Sequence, residues 1–195
     1  ALKPEMCSFD PNTINWANSY IFENSPRFLN KLGEEVVKQD IKPEFEVFDT
    51  GHIDSVMYYV NKWNIPQPPH IQFIMGVGGS MPGTTENLAF LVGKLPAGAT
   101  WSVSGIGKCH MPMMLAGLAL GCDGLRVGLE DNVMYGKNPD GTKDIATNLR
   151  LVERAVKLSQ LAGRDIATAQ EAREILGIKR NCLKDEKTYP VTYTE

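Results

Sequence analysis

Apolar side chains recur along this chain with two alternating periods. In Pro4–Phe9, Glu44–Asp49, Ile71–Gly76, Thr100–Ile106 and Leu125–Glu130 they come at every second residue or in short runs, the pattern of strands. Between those stretches they fall three and four residues apart, which puts them on one face of a helix. Ser25 is a helix cap followed by Pro26 at the first helical position, and Phe28, Leu29, Leu32 and Val36 keep the period to about Gln39. Further helices are predicted over Ile53–Trp63, Thr85–Leu95 and Met113–Leu120. A looser segment, Asn132–Thr142, precedes an amphipathic helix carrying Ile145, Leu149, Val152 and Val156. Thr168 and Glu171 make a capping box for a last helix that stops at Gly177. From Lys179 to Glu195 the chain is polar and has no period, and nothing before it reads as a linker. One domain over residues 1–178 with a tail over 179–195 is expected.

Strand followed by helix, repeated in series, implies an α/β fold with a parallel sheet and right-handed crossovers. An open doubly wound sheet and part of an eight-stranded (β/α)8 TIM barrel both have this pattern, and strand polarity favours the barrel. Glu44 and Glu46 alternate with Phe45 and Val47, and Ser102 and Ser104 alternate with Trp101 and Val103, whereas a doubly wound sheet reads as near-continuous aliphatics. The chain supplies about five βα units of such a barrel. In its last predicted strand Leu125, Val127 and Leu129 take one parity, and Arg126, Gly128 and Glu130 take the other. A charged face needs a polar cavity, and Glu130 and Asp131 stand at the C-terminal end of the strand, where parallel α/β proteins carry their chemistry. The same residues also suit an Arg–Glu ion pair that only holds the fold.

Composition narrows the function classes. With 43% hydrophobic and 22% charged residues and a net charge of -3, the chain gives no electrostatic reason to expect nucleic acid. The longest apolar run, about Met113–Leu120, is too short to span a bilayer, and no signal peptide is evident at the start; a cytoplasmic location and no membrane partner are expected. Cys7, Cys109, Cys122 and Cys182 show no CxxC spacing and read as unpaired thiols. Gly76-Val-Gly-Gly-Ser-Met81 lacks the third glycine of a dinucleotide loop, and Gly105-Ile-Gly-Lys108 lacks the spacing of a Walker loop; either can still offer backbone N–H groups to a phosphate or carboxylate. His70 enters its strand from the N-terminal side and reads as structural. His52 reads as a solvated helix-start residue, and Met111, Met113 and Met114 as core filling.

Four stretches in colinear order carry a resemblance to a family: Lys42-Pro-Glu-Phe-Glu-Val-Phe-Asp49 with Gly51-His52, Leu125-Arg-Val-Gly-Leu-Glu-Asp-Asn132, Leu149-Arg-Leu-Val-Glu-Arg-Ala-Val156, and Glu171-Ala-Arg-Glu-Ile-Leu-Gly177. From about Leu2 to Ile178 the chain resembles the β-keto acid cleavage enzymes, the group that includes 3-keto-5-aminohexanoate cleavage enzyme. The resemblance implies a (β/α)8 barrel, a divalent metal such as Zn²⁺, and acetyl-CoA as co-substrate. The reaction implied is a Claisen-type exchange, in which a β-keto acid and acetyl-CoA give acetoacetate and a new acyl-CoA. It also implies Glu130 as a metal ligand, Asp131 as general base and Arg126 as its assistant, with Glu46 lining the substrate pocket. A carboxylate is a competent zinc ligand, and a guanidinium can hold a carboxylate or a developing enolate.

The His-x-His pair that supplies the family's other metal ligands is absent from this chain. The five strands correspond to barrel strands four to eight, so a complementary N-terminal barrel piece and a homo-oligomer are expected. Another metal-dependent lyase or aldolase, and a noncatalytic subunit that keeps Arg126 and Glu130 as an ion pair, stay open.

Overall fold

The computed structural model describes residues 4–178, and the tail expected over 179–195 lies outside the described residues. Short runs of Phe, Ile and Val form the strands β1 (Met6–Phe9), β4 (Lys42–Val47), β5 (His70–Met75), β6 (Thr100–Gly105) and β7 (Gly124–Leu125). These pair in the order β1-β4-β5-β6-β7, every neighbour parallel, with Ser8 opposite Glu44, Glu44 opposite His70 and Gln72 opposite Ser102. The sheet is the (β/α) repeat read from the sequence.

Four helices, α1 (Pro26–Lys38), α2 (Thr50–Trp63), α3 (Thr85–Val92) and α4 (His110–Leu120), cover one face of the sheet; α5 (Asn148–Leu161) contacts α4, and α6 (Ala169–Leu176) follows it. Phe45, Val47, Ile71, Phe73, Met75, Trp101 and Val103 are the strand residues of this core, packed against Leu29, Val56, Leu88, Leu91 and Met113 of the helices. Burying a large aliphatic or aromatic side chain is worth about 1.5–3 kcal/mol, so this layer dominates the favourable side of folding. Met113 and Met114 are buried core residues, as expected.

Local signals fix the helix ends. Ser25 accepts from Phe28 N at 3.3 Å ahead of Pro26, and Thr168 and Glu171 form the full capping box of α6. Asp49, expected as the last residue of a strand, instead caps α2, accepting from Thr50 N at 2.7 Å. Strand β4 accordingly begins and ends two residues earlier than the sequence period suggests. Its first residue, Lys42, is buried with Nζ donating to the carbonyls of Pro66, at 3.0 Å, and Pro68.

Two hairpins lie outside the main sheet. Strands β2 (Ile14–Trp16) and β3 (Tyr20–Phe22) flank a turn in which Ala17 and Asn18 take positive φ, and Ile14 and Trp16 pack on Phe48, Ile74 and Val77 of the inner face. Strands β8 (Met134–Lys137) and β9 (Lys143–Ile145) occupy the segment expected to be loose, closed by Asn138 N donating to Thr142 O at 2.9 Å. Ile145 therefore belongs to a strand, and α5 starts only after its cap at Thr147.

Among the described residues no helix is long and apolar enough to cross a membrane. Cys7, Cys109 and Cys122 are free thiols.

Candidate active site

The inner face of the sheet is polar because alternate residues of each strand point away from the helices. At its N-terminal end Ser102 Oγ donates to Gln72 Oε1 at 2.6 Å and lies 3.2 Å from His70 Nε2; His70 Nδ1 lies 2.9 Å from Thr100 Oγ1. Since the Ser102 proton goes to Gln72, Nε2 of His70 is the donor towards Ser102 Oγ. These bonds tie His70 to its neighbours, with Glu44 Oε2 3.5 Å from Nε2. Glu44, His70, Gln72, Ser102 and Arg126 share a cavity of about 340 Å³, closed on one side by Ala172, Ile175 and Leu176 of α6.

Further along the same face the chemistry turns ionic. Arg126 follows β7 directly, and its backbone N donates to Val103 O at 3.0 Å, extending the ladder by one residue. The chain then leaves the sheet. Asp131 N and Asn132 N both donate to Gly128 O, at 3.2 and 3.0 Å, and Leu129 N donates to Asn148 Oδ1 at 3.0 Å. The six-residue strand expected over Leu125–Glu130 is thus a two-residue strand followed by a tight turn. The expected burial of its apolar parity ends there, and Leu129 is 41% exposed.

That turn decides which carboxylate meets Arg126. Asp131 Oδ2 accepts from Arg126 Nε at 2.9 Å and Oδ1 accepts from Nη2 at 3.0 Å, a bidentate fork, while Ser104 Oγ donates to Oδ2 at 2.8 Å. Glu130 Oε2 takes a further bond from Nη2 at 2.8 Å, and Glu46 Oε2 lies 3.5 Å from Nη1. The four residues proposed from sequence, Arg126, Glu130, Asp131 and Glu46, therefore come together around one guanidinium. Their exposures differ sharply: the Asp131 side chain is 3% exposed, that of Glu46 11% and that of Glu130 84%.

Sequence reading missed two members. Ser104 was noted as an inner-face polar residue but not tied to Asp131. Asp10, directly after β1, shows no sequence signal beyond its place at the C-terminal end of a strand. Burial first and the Glu46 charge second push the Asp10 carboxyl up to about 7, against Arg126. Burial also raises Glu46, aided by Glu44 and Glu130, while a Ser8 hydrogen bond and Arg126 oppose the rise. A cluster holding more carboxyls than cations keeps protons on some of them near neutrality.

The described residues do not by themselves make a metal centre. Among them no group of three or more His, Cys, Asp or Glu side chains is placed to hold an ion. Glu130, on the solvent side of Arg126, is the carboxylate most open to an incoming ligand. His52 is buried rather than solvated: Phe48 N donates to its Nδ1 at 3.3 Å, and burial lowers its pKa.

The sequence is 38% identical over 179 residues to the 3-keto-5-aminohexanoate cleavage enzyme of Acetoanaerobium sticklandii, covering 92% of this chain and 64% of that protein. It is 34% identical over 181 residues to the 3-oxoadipate:acetyl-CoA acetyltransferase of Cupriavidus necator, covering 91% and 62%. The 3-dehydrocarnitine:acetyl-CoA trimethylamine transferase of Rhizobium meliloti is 32% identical, with 91% and 57% covered. The chain therefore spans less than two thirds of these relatives' length. Among solved structures, apo ObcA superposes with a TM-score of 0.79 at 20% identity, over 90% of this chain and 44% of that one, which supports the barrel-type α/β fold. The profile of the beta-keto acid cleavage enzyme family matches residues 1–178. The chain belongs to the beta-keto acid cleavage enzyme family.

Proposed function

We propose that this chain forms the C-terminal part of an acyltransferase that reacts a β-keto acid with acetyl-CoA to give acetoacetate and a new acyl-CoA. The observation that carries the reading is the Arg126–Asp131–Ser104 network at the C-terminal end of the strands, with Glu46 beside it. Relatives named as keto acid:acetyl-CoA transferases support the reaction class.

The roles follow from the lone pairs. Asp131 Oδ2 accepts two bonds, from Arg126 Nε and Ser104 Oγ, whereas Oδ1 accepts one from the described residues. A carboxylate oxygen has two acceptor sites, so Oδ1 keeps one for a proton. Asp131 takes the proton from the carbon between keto and carboxyl groups, and Arg126 stabilises the enolate charge. That carbon attacks the acetyl carbonyl and expels the CoA thiolate. The thiolate then attacks the original keto carbon, the carbon–carbon bond breaks, and the departing carbon of acetoacetate recovers the proton from Asp131. Glu46 lines the substrate pocket.

The reading extends to a divalent metal, zinc or a neighbouring ion, that would polarise the keto oxygen as a Lewis acid when bound. Glu130 suits one ligand of a shared centre, with the remaining donors on a complementary N-terminal barrel piece. The edge strands β1 and β7 are where such a piece would pair, since an unpaired edge invites a partner strand. A homo-oligomer belongs to the same reading.

The test is an acetoacetate assay with acetyl-CoA and a panel of β-keto acids, run on the purified chain together with its co-purifying polypeptides. Acetoacetate that disappears in Asp131→Asn supports the reading. Equal rates in wild type and Asp131→Asn, or no exchange with any keto acid, would overturn it.

A further inference from the structure

The loops after β6 and β7 enclose a second cavity, of about 550 Å³, bordered on one side by Glu130 and Asp131 of the Arg126 cluster. Gly107 N donates to Asp131 O at 2.9 Å and clamps the two loops together. Gly107 and Lys108 line it from the turn after β6, His110 from the start of α4, and Tyr135 and Arg154 from β8 and α5. The loops after the last two strands are where barrels of this type commonly hold phosphate.

Two side chains here hold buried nitrogen atoms without a well-formed hydrogen bond. His110 is 2% exposed and interacts with the Gly105 backbone, but neither ring nitrogen makes a well-formed hydrogen bond among the described residues. Arg154 uses Nη1 to donate to Tyr135 O at 2.8 Å and rests its guanidinium 4.2 Å from the Tyr135 ring centroid. Its remaining edge, Nε and Nη2, is buried with no partner. That edge is the fork that grips two oxygens of a phosphate or carboxylate at once. The neighbouring Arg150 shows the contrast: its fork is filled by Asp144, at 2.8 and 2.7 Å. Buried N–H groups in folded proteins nearly always have partners, so an unfilled Arg154 edge on a residue that lines this cavity describes a missing oxyanion.

We propose that this cavity is an oxyanion subsite in which Arg154 binds bidentately, supported by His110 and by Lys108 at the rim. The oxyanion is a phosphate of the acyl-CoA or the carboxylate of the keto acid. Only the naming of those two sources rests on the function proposed above.

The test follows the Arg154 Nε–H signal of the full chain in ¹⁵N-edited NMR during titration with adenosine 3′,5′-bisphosphate, CoA and acetoacetate. The expected result is a saturable shift, and the tighter ligand identifies the source: CoA and the bisphosphate together for phosphate, acetoacetate for carboxylate. Arg154→Lys keeps the charge but loses the fork, and weakens that binding by about tenfold or more. Arg150→Lys leaves it unchanged. Should Arg154→Lys fail to fold, His110→Gln takes its place, with weakening of several-fold. No saturable shift with any of the three anions, or affinity indifferent to Arg154 and His110, overturns the proposal. A chain that binds anions through Arg154 yet makes no acetoacetate would sink the catalytic reading alone. A chain that makes acetoacetate and ignores Arg154 would sink this one alone.

Discussion

At the N-terminal end of the inner face, His70, Thr100, Ser102 and Gln72 close a chain of hydrogen bonds built mainly from uncharged groups, with the single carboxylate of Glu44 beside it. Further along the same strands, Arg126 meets Asp131, Glu130 and Glu46, with Asp10 held in the same field. Both clusters sit on one sheet with one register, so the backbone does not distinguish them. What differs is charge balance. The neutral end satisfies its donors and acceptors internally, and removing it from water costs little once the bonds are made. The ionic end gathers one guanidinium and several carboxyls, and only protonation, a bound cation or a substrate relieves the surplus. The first arrangement holds a fold together, while the second waits for a ligand.

The largest effect is expected from breaking the ionic end. Arg126→Ala leaves Asp131 buried with Ser104 as its remaining side-chain donor, and a buried charge stripped of its partner costs about 3–5 kcal/mol. Urea unfolding at neutral pH measures it. A loss below about 1 kcal/mol would show that water replaces Arg126 freely and that the cluster is not a closed network.

The neutral end should give way more gently. Ser102→Ala removes the hydroxyl that donates to Gln72 and accepts from His70, leaving two buried groups short of one bond. A loss of about 1–3 kcal/mol is expected from the same unfolding experiment. A cost equal to that of Arg126→Ala would erase the distinction between the two clusters.

Proton linkage sharpens the comparison. Asp10 titrates near 7 in the folded chain against an ordinary value of 3.8, so between those limits the folded state binds more protons than the unfolded one. Stability from this group is complete below about pH 4 and is lost as pH rises towards 7 and beyond, at up to about 1.4 kcal/mol per pH unit. The raised Glu46 carboxyl adds to the same slope. Asp10→Asn should flatten the curve between pH 5 and 7 and leave the variant more stable than wild type at pH 8. An unchanged slope would place the bound protons elsewhere.

Much of this division was legible in the chain. The alternation of Glu44, Glu46, Ser102 and Ser104 with aromatic and aliphatic neighbours marked the inner face, because a period of two leaves a strand residue no other direction to point. Arg126, Glu130 and Asp131 stood out since charges next to an apolar strand need a cavity. The turn at Gly128 was not legible: a six-residue alternation suits a strand, and the bond from Leu129 N to Asn148, nineteen residues away, joins the local bonds to Gly128 O in bending the chain. The two hairpins escaped for a different reason. Met134–Lys137 and Lys143–Ile145 are short and half polar, although Asn138-Pro-Asp-Gly141 between them is a recognisable turn sequence. Asp10 lay just beyond a short strand with no charged neighbour in sequence, and its partners come from β4 and from beyond β7.

Glu130 supplies the smallest expected effect on stability. Its side chain is 84% exposed and shares Arg126 Nη2 with the buried Asp131, so the fork on Asp131 survives its loss. Glu130→Gln should change folding stability by no more than about 0.5 kcal/mol, as exposed ion pairs do. If the residue instead served the noncatalytic reading, in which its pairing with Arg126 only holds the fold, the substitution would shift the urea midpoint and leave any acetoacetate formation intact. As a ligand of a shared metal it does the reverse. Stability stays, metal content of the active assembly falls, and the rate drops by at least about tenfold to a hundredfold, the loss already seen when groups that merely support a metal ligand are removed. Because the two readings move the two observables in opposite directions, one variant measured both ways decides whether the exposed carboxylate belongs with the structural cluster or with the one that awaits a ligand.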